Sequence, residues 1–215
     1  MTLMSTSVMA HFESQILAFA KLQMHQDQAH DIKHILRVVK TAKALCAIEK
    51  GDMAIILPAA YLHDCVSLPK NHPNRSQSSQ LSAEKAALFL REIEYPLQYL
   101  DEIQHAIVAH SFSANIKPNT LEAKIVQDAD RLDALGAIGI ARCFQVGSEL
   151  GVELYSDDDP FCQQRAANDR LYSVDHFYLK LLTLAETMQT PAAKSEALTR
   201  TRFMKDFLAQ LEDEV

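Results

Sequence analysis

Apolar residues recur three and four positions apart along most of this chain, and only five glycines and seven prolines interrupt its 215 residues. That pattern calls for helices, because strands need strict alternation and a β-rich chain needs frequent turn residues. An all-α protein is expected. Phe12, Ile16, Phe19 and Leu22 share one face of a helix predicted at about 9–25. Ile35, Val38, Val39, Ala42, Leu45 and Cys46 do the same at about 30–49. Gly51-Asp52 ends that second helix, and Asp52 is suited to cap the next. Residues 53–64, MAIILPAAYLHD, are apolar almost all round and so belong at the centre, with Pro58 expected to kink the helix or open its second half. A strand over 53–57 is disfavoured by Pro58 and by the lack of any partner strand.

Residues 66–80, VSLPKNHPNRSQSSQ, are polar and without period, which marks a loop. Helices are expected at about 81–93 and 97–112, and at 119–150 with breaks near Gly136 and Gly139. The acidic run Asp157-Asp158-Asp159 with Pro160 places a surface loop at 151–165. Helices at about 166–188 and 192–213 complete the chain. The length suits one domain, with a core over about 25–150 and a helical extension over about 151–215 packed on it.

The net charge of −7, with no run of Lys or Arg, argues against a protein that coats a nucleic-acid polymer or a membrane surface. A small phosphorylated molecule stays open, since two or three local cations suffice for one phosphate. Cys46, Cys65, Cys143 and Cys162 form no CxxC pair, and so read as reduced thiols of a cytoplasmic protein. No basic region followed by an apolar one marks the N-terminus as a secretory signal, and no apolar stretch approaches the ~20 residues that span a bilayer.

Chemistry gathers at three places. His30 and His34 lie four residues apart on the second helix, with Asp31 between them. His63-Asp64 ends the most apolar helix, where ionisable groups are unfavourable unless paired, hydrogen-bonded or metal-bound. Asp128, Asp130 and Asp133 fall in QDADRLD, within a helix otherwise patterned for burial. Singly, each has a plain structural reading: a satisfied core histidine, a chance dipeptide, a solvated face. Their order along the chain, His, then His-Asp, then Asp about 65 residues later, weighs against coincidence.

In that order His34, His63-Asp64 and Asp130 resemble the H…HD…D signature of the HD-domain superfamily of metal-dependent phosphohydrolases. AHDIKHILRV (29–38), PAAYLHD (58–64), LPKNHPNRSQSS (68–79), AIVAHSFS (106–113), QDADRLDALGAIGIAR (127–142) and DHFYLKLL (175–182) are similar to its short stand-alone bacterial members, so the likeness spans roughly 25–205. It implies a helical HD-domain bundle with His34, His63, Asp64 and Asp130 as ligands of a divalent metal ion. Two imidazoles and two carboxylates suit Mn²⁺, Fe²⁺, Co²⁺, Ni²⁺ or Zn²⁺ better than Ca²⁺, with Mg²⁺ a further candidate. Dinuclear members add histidines on the next two helices. Here the later one offers His110 but the earlier carries Glu84, which favours one ion per chain, with a two-metal site using Glu84 the alternative.

The implied activity is hydrolysis of a small phosphate compound, foremost a nucleotide, by water activated on the metal, as a phosphomonoesterase or a nucleoside triphosphate pyrophosphohydrolase. Asp64, Glu84 and His110 are the candidate catalytic residues. Lys70, Arg75, Ser78 and His110 are candidates for binding the phosphate, Lys70 and Arg75 foremost. Asp133, His30 and Asp31 are expected behind the ligands, and His176 to close the pocket from the tail. The alternative is a helical module that binds metal and nucleotide as a sensor without turning the nucleotide over.

Overall fold

The computed structural model describes residues 6–23, 31–66, 68, 74–112 and 114–215. Its regular structure there is helical, apart from one isolated bridge between Glu153 and Tyr172, as the apolar spacing requires. No helix among the described residues is long and apolar enough to cross a membrane. Two compact units divide between Asp130 and Arg131.

The first unit contains α1 (Thr6–Gln23), α2 (Ile32–Glu49), α3 (Met53–Leu62), α4 (Ser78–Glu92), α5 (Leu100–His110) and most of α6 (Leu121–Leu132). Every residue of α3 from Ala54 to Leu62 is buried, and the helix packs against α1, α2, α4 and α5. Ile56, Leu57 and Leu62 are each at most 1% exposed, and burying such a side chain contributes about 1.5–3 kcal/mol. The helix runs unbroken through Pro58. Proline has no N–H for the Ala54 carbonyl one turn back, and the hydroxyl of buried Tyr95 donates to that oxygen instead, at 2.6 Å.

Local chemistry sets the helix ends. Asp31 caps α2 by accepting the His34 N–H at 2.9 Å, and Asp52 caps α3 by accepting the Ala54 N–H at 2.8 Å. Lys50 closes α2 in the left-handed region at φ 65°. Glu122 at the start of α6 accepts the Asp52 N–H at 2.9 Å, which fastens the beginning of α6 to the beginning of α3. Ser82 of α4 both accepts from Val66 N–H and donates to Val66 O, pinning the segment that leaves His63-Asp64. On α1, Ile16 and Ala20 are buried, whereas Leu22 is exposed rather than on the buried face expected for it.

The second unit holds α7 (Gly136–Glu149), α8 (Asp175–Leu179), a run of 3-10 helix (Leu181–Thr187) and α9 (Pro191–Glu214). Gly136 begins α7 at φ 71°, a left-handed conformation that L side chains rarely adopt. The break expected near the glycines is therefore present. The single helix expected over 166–188 is not: residues 166–174 are turns and irregular chain apart from the bridge at Tyr172. Buried Asp175 accepts from Asn168 N–H and takes Arg165 through both oxygens at 2.6 and 2.7 Å, and Asn168 accepts the Arg170 N–H. Those side chains compete with helical backbone bonding and win.

Candidate metal centre

Four helices of the first unit deliver the candidate ligands. His34 lies in the first turn of α2, His63-Asp64 just beyond α3, His110 at the last residue of α5, and Asp130 on α6. His34, His63 and His110 are buried, at 1%, 0% and 6% exposure, while the side chains of Asp64 and Asp130 are 19% and 28% exposed. The imidazoles thus form the floor and the carboxylates the edge facing solvent.

His34 Nε2 stands 3.4 Å from Asp130 Oδ1 and 4.0 Å from Asp64 Oδ2. His63 Nε2 is 3.6 Å from Asp64 Oδ2 and 3.7 Å from Asp130 Oδ1, and His110 Nε2 is 3.5 Å from Asp64 Oδ1. Asp64 therefore faces His34 and His63 with one oxygen and His110 with the other.

Two histidines are aimed by the same device. His63 Nδ1–H donates to the Ala60 carbonyl at 2.9 Å, and His110 Nδ1–H to the Ile107 carbonyl at 2.6 Å. Each carbonyl belongs to the final turn of its helix, where intrahelical donors have run out. A carbonyl only accepts, so each ring keeps its proton on Nδ1 and turns Nε2 toward the carboxylates. Burial, only partly offset by Asp64 and Asp130, lowers the His63 pKa to about 4, so the ring is neutral near pH 7. Its Nε2 is then a buried lone pair without a hydrogen-bond partner, opposite oxygens that are themselves acceptors.

The remaining electrostatics favour a positive charge at this point. Burial alone would lower the His110 pKa, but its hydrogen bond with Asp64 and the charges of Asp64 and Asp130 outweigh it and lift it. Burial likewise opposes ionisation of Asp130, yet the His34 hydrogen bond and the neighbouring imidazoles hold its carboxyl well below the usual range. His34, His63 and Asp130 bring donor atoms within 4.8 Å of one another, as do His63, Asp64 and His110. Donors about 2.0–2.2 Å from a common ion can lie up to about 4.4 Å apart, and the His–carboxylate distances of 3.4–4.0 Å fall within that. The mixed N/O set suits a first-row divalent ion, and an orphaned Nε2 facing carboxylates is what such an ion would satisfy.

All four expected ligands are thus brought together, and His110 joins them close enough to be a fifth donor. Glu84 is not brought in: it is exposed on α4, where Gln80 Nε2 donates to it at 2.9 Å. Asp31 serves α2 as its cap and so holds the backbone at His34. Ser78 Oγ accepts the Leu68 N–H at 3.3 Å. Asp133, in the second unit, is buried and takes Arg142 at 2.7 Å, and His176 there pairs with Asp169 at 2.8 Å. His30 and Lys70 lie outside the described residues, as does the side chain of Arg75, whose backbone is in a 3-10 turn. Asp128 is fully buried rather than on a solvated face.

Sequence reasoning missed Gln127, which is 3% exposed and reaches from α6 to the Ala109 carbonyl beside His110. The available signal was a long polar side chain three residues before Asp130 on a helix face patterned for burial.

Residues 31–135 match the HD domain family. YpgQ of Bacillus subtilis strain 168 is 32% identical over 194 residues, covering 88% of this chain and 86% of its own. A crystal structure of YpgQ in complex with ADP superposes with a TM-score of 0.73 at 30% identity, covering 96% of each chain. A structure described as an HD-superfamily hydrolase from Bacillus thuringiensis gives 0.75 at 35% identity, covering 95% of this chain and 97% of that one. With the H…HD…D residues converging in space as well as in sequence, the chain belongs to the HD-domain superfamily.

Proposed function

We propose that the chain is a metal-dependent phosphohydrolase acting on a small phosphate compound, foremost a nucleotide, with His34, His63, Asp64 and Asp130 holding one divalent ion. The observation that carries this reading is the buried, unpartnered Nε2 of His63 facing two carboxylates. The hydrolase description of the Bacillus thuringiensis relative and the ADP complex of YpgQ support the reaction and substrate class.

When bound, the ion supplies Lewis acidity: it lowers the pKa of a water and neutralises charge on the phosphoryl group. The protein supplies the rest. Asp64, at the solvent-facing edge, orients the attacking water. His110, across from its Oδ1, is the group suited to pass a proton at Nε2 to the leaving oxygen. Lys70 and Arg75, in the segment that follows His63-Asp64, are assigned to the phosphate oxygens, with the Ser78 hydroxyl as a further donor.

The test is hydrolysis of nucleoside mono-, di- and triphosphates and a generic phosphomonoester by metal-stripped protein given back Mn²⁺, Co²⁺, Ni²⁺ or Mg²⁺. Metal-dependent turnover that Asp64→Ala abolishes is the expected result, and released phosphate against pyrophosphate identifies the bond cut. No turnover with any metal, while nucleotides raise the melting temperature, would replace the hydrolase with a binding module.

A further inference from the structure

Gln127 carries a buried amide whose two ends differ in fate. Its Nε2 donates to the Ala109 carbonyl at 2.7 Å, while its Oε1 has no hydrogen-bond partner. An unsatisfied buried acceptor works against stability and offsets what the hydrogen bond at the other end contributes. The amide is therefore better explained by where it points. Ala109 precedes His110, and its carbonyl is one of the last four of α5, which lack intrahelical donors. Two of these four oxygens are taken at His110: Ile107 O by the imidazole itself, and Ala109 O by Gln127. Gln127 also stands three residues before Asp130, on the same side of α6. One hydrogen bond thus sets the end of α5, with His110, against the stretch of α6 that carries Asp130.

We propose that Gln127 is a positioning residue for the metal centre, acting through His110: it fixes the backbone from which the His110 ring, already oriented by Ile107, meets Asp64. This rests on the metal-binding reading above. Loss of a group that orients a ligand typically weakens metal affinity 10–100-fold.

The experiment is Co²⁺ binding to the full chain, followed by competition with a chelator and by the visible ligand-field spectrum, for wild type, Gln127→Met, Gln127→Asn, His110→Ala and the double variant Gln127→Met/His110→Ala. Gln127→Met, which keeps the volume but leaves the Ala109 carbonyl without its donor, is expected to stay folded with a somewhat lower melting temperature and to bind Co²⁺ about 10-fold more weakly with an altered spectrum. Gln127→Asn, polar but too short to reach the Ala109 carbonyl, should lose affinity to the same degree. In the His110→Ala background the Gln127 substitution should add nothing. Wild-type affinity and spectrum in Gln127→Met, or an equal loss in both backgrounds, would overturn the positioning role alone. Failure of wild type itself to bind Co²⁺ would overturn the metal reading, and this inference with it.

Discussion

Tyr95 donates its hydroxyl to the Ala54 carbonyl at 2.6 Å, the oxygen that Pro58 leaves without its helical partner. A proline in a buried helix would otherwise strand an acceptor where water does not reach. Tyr95→Phe should therefore destabilise the protein by about 1–2 kcal/mol. In a Pro58→Ala background, where an N–H returns to Ala54 O, the same substitution should have a smaller effect. Paired thermal melts of the four proteins measure the difference, and equal losses in both backgrounds would show that Tyr95 does not serve that carbonyl.

Asp31 separates a cap from a site residue. Asp31→Ala should lower stability by about 1 kcal/mol through loss of the α2 cap, and Asp31→Ser should recover most of it. Metal stoichiometry should be unchanged in both. A chemical denaturation series with metal analysis on the same samples checks this, and a lost metal with unchanged stability would place Asp31 at the ion.

Glu84 and Asp64 should part company in activity. Glu84→Gln, on an exposed helix face, should leave turnover within about twofold and stability within about 0.5 kcal/mol. Asp64→Asn should reduce turnover by more than about 100-fold, beyond the usual effect of losing an outer partner of a ligand. Parallel steady-state assays decide, and a Glu84→Gln enzyme as impaired as Asp64→Asn would restore Glu84 to the catalytic set.

Much of the site was legible because its ligands follow one another along the chain in a distinctive order. His34 stands four residues after His30, His63-Asp64 terminates an apolar segment, and Asp130 sits in a helix whose neighbours are patterned for burial. What escaped depends on contacts between residues distant in sequence or on ring orientation. Spacing alone does not show that Ile107 O turns His110 toward Asp64, that Gln127 spans 18 residues to Ala109, or that Tyr95 reaches the Ala54 carbonyl from 41 residues away. Glu84 lies on the helix where dinuclear relatives carry a histidine, and helix order does not reveal which face points inward. The helix expected over 166–188 failed because periodicity does not register Asp175 and Asn168 drawing backbone N–H groups into turns.

The Asp175–Arg165 pair predicts an acid limit for the second unit. Burial raises the Asp175 pKa, but the Arg165 hydrogen bonds and the Asn168 N–H prevail, so it lies below the usual carboxylate value when folded. A lowered folded pKa means stability that is present above about pH 4, the unfolded value, and is lost as the pH falls through the folded one. Asp175→Asn should therefore be less stable than wild type at pH 7, and the gap should narrow below about pH 4. Urea titrations across pH 3–7 measure it, and a gap that widens on acidification would contradict the pairing.

The most direct test of the metal centre is the metal content and turnover of His63→Ala beside wild type, both loaded with the same divalent ion and dialysed. Wild type should retain one ion per chain and hydrolyse a nucleotide, while His63→Ala, still folded by its melting curve, should retain almost no metal and turn over almost nothing. A folded His63→Ala protein that keeps both its ion and its activity would contradict the assignment of the ion to the His34, His63, Asp64 and Asp130 group.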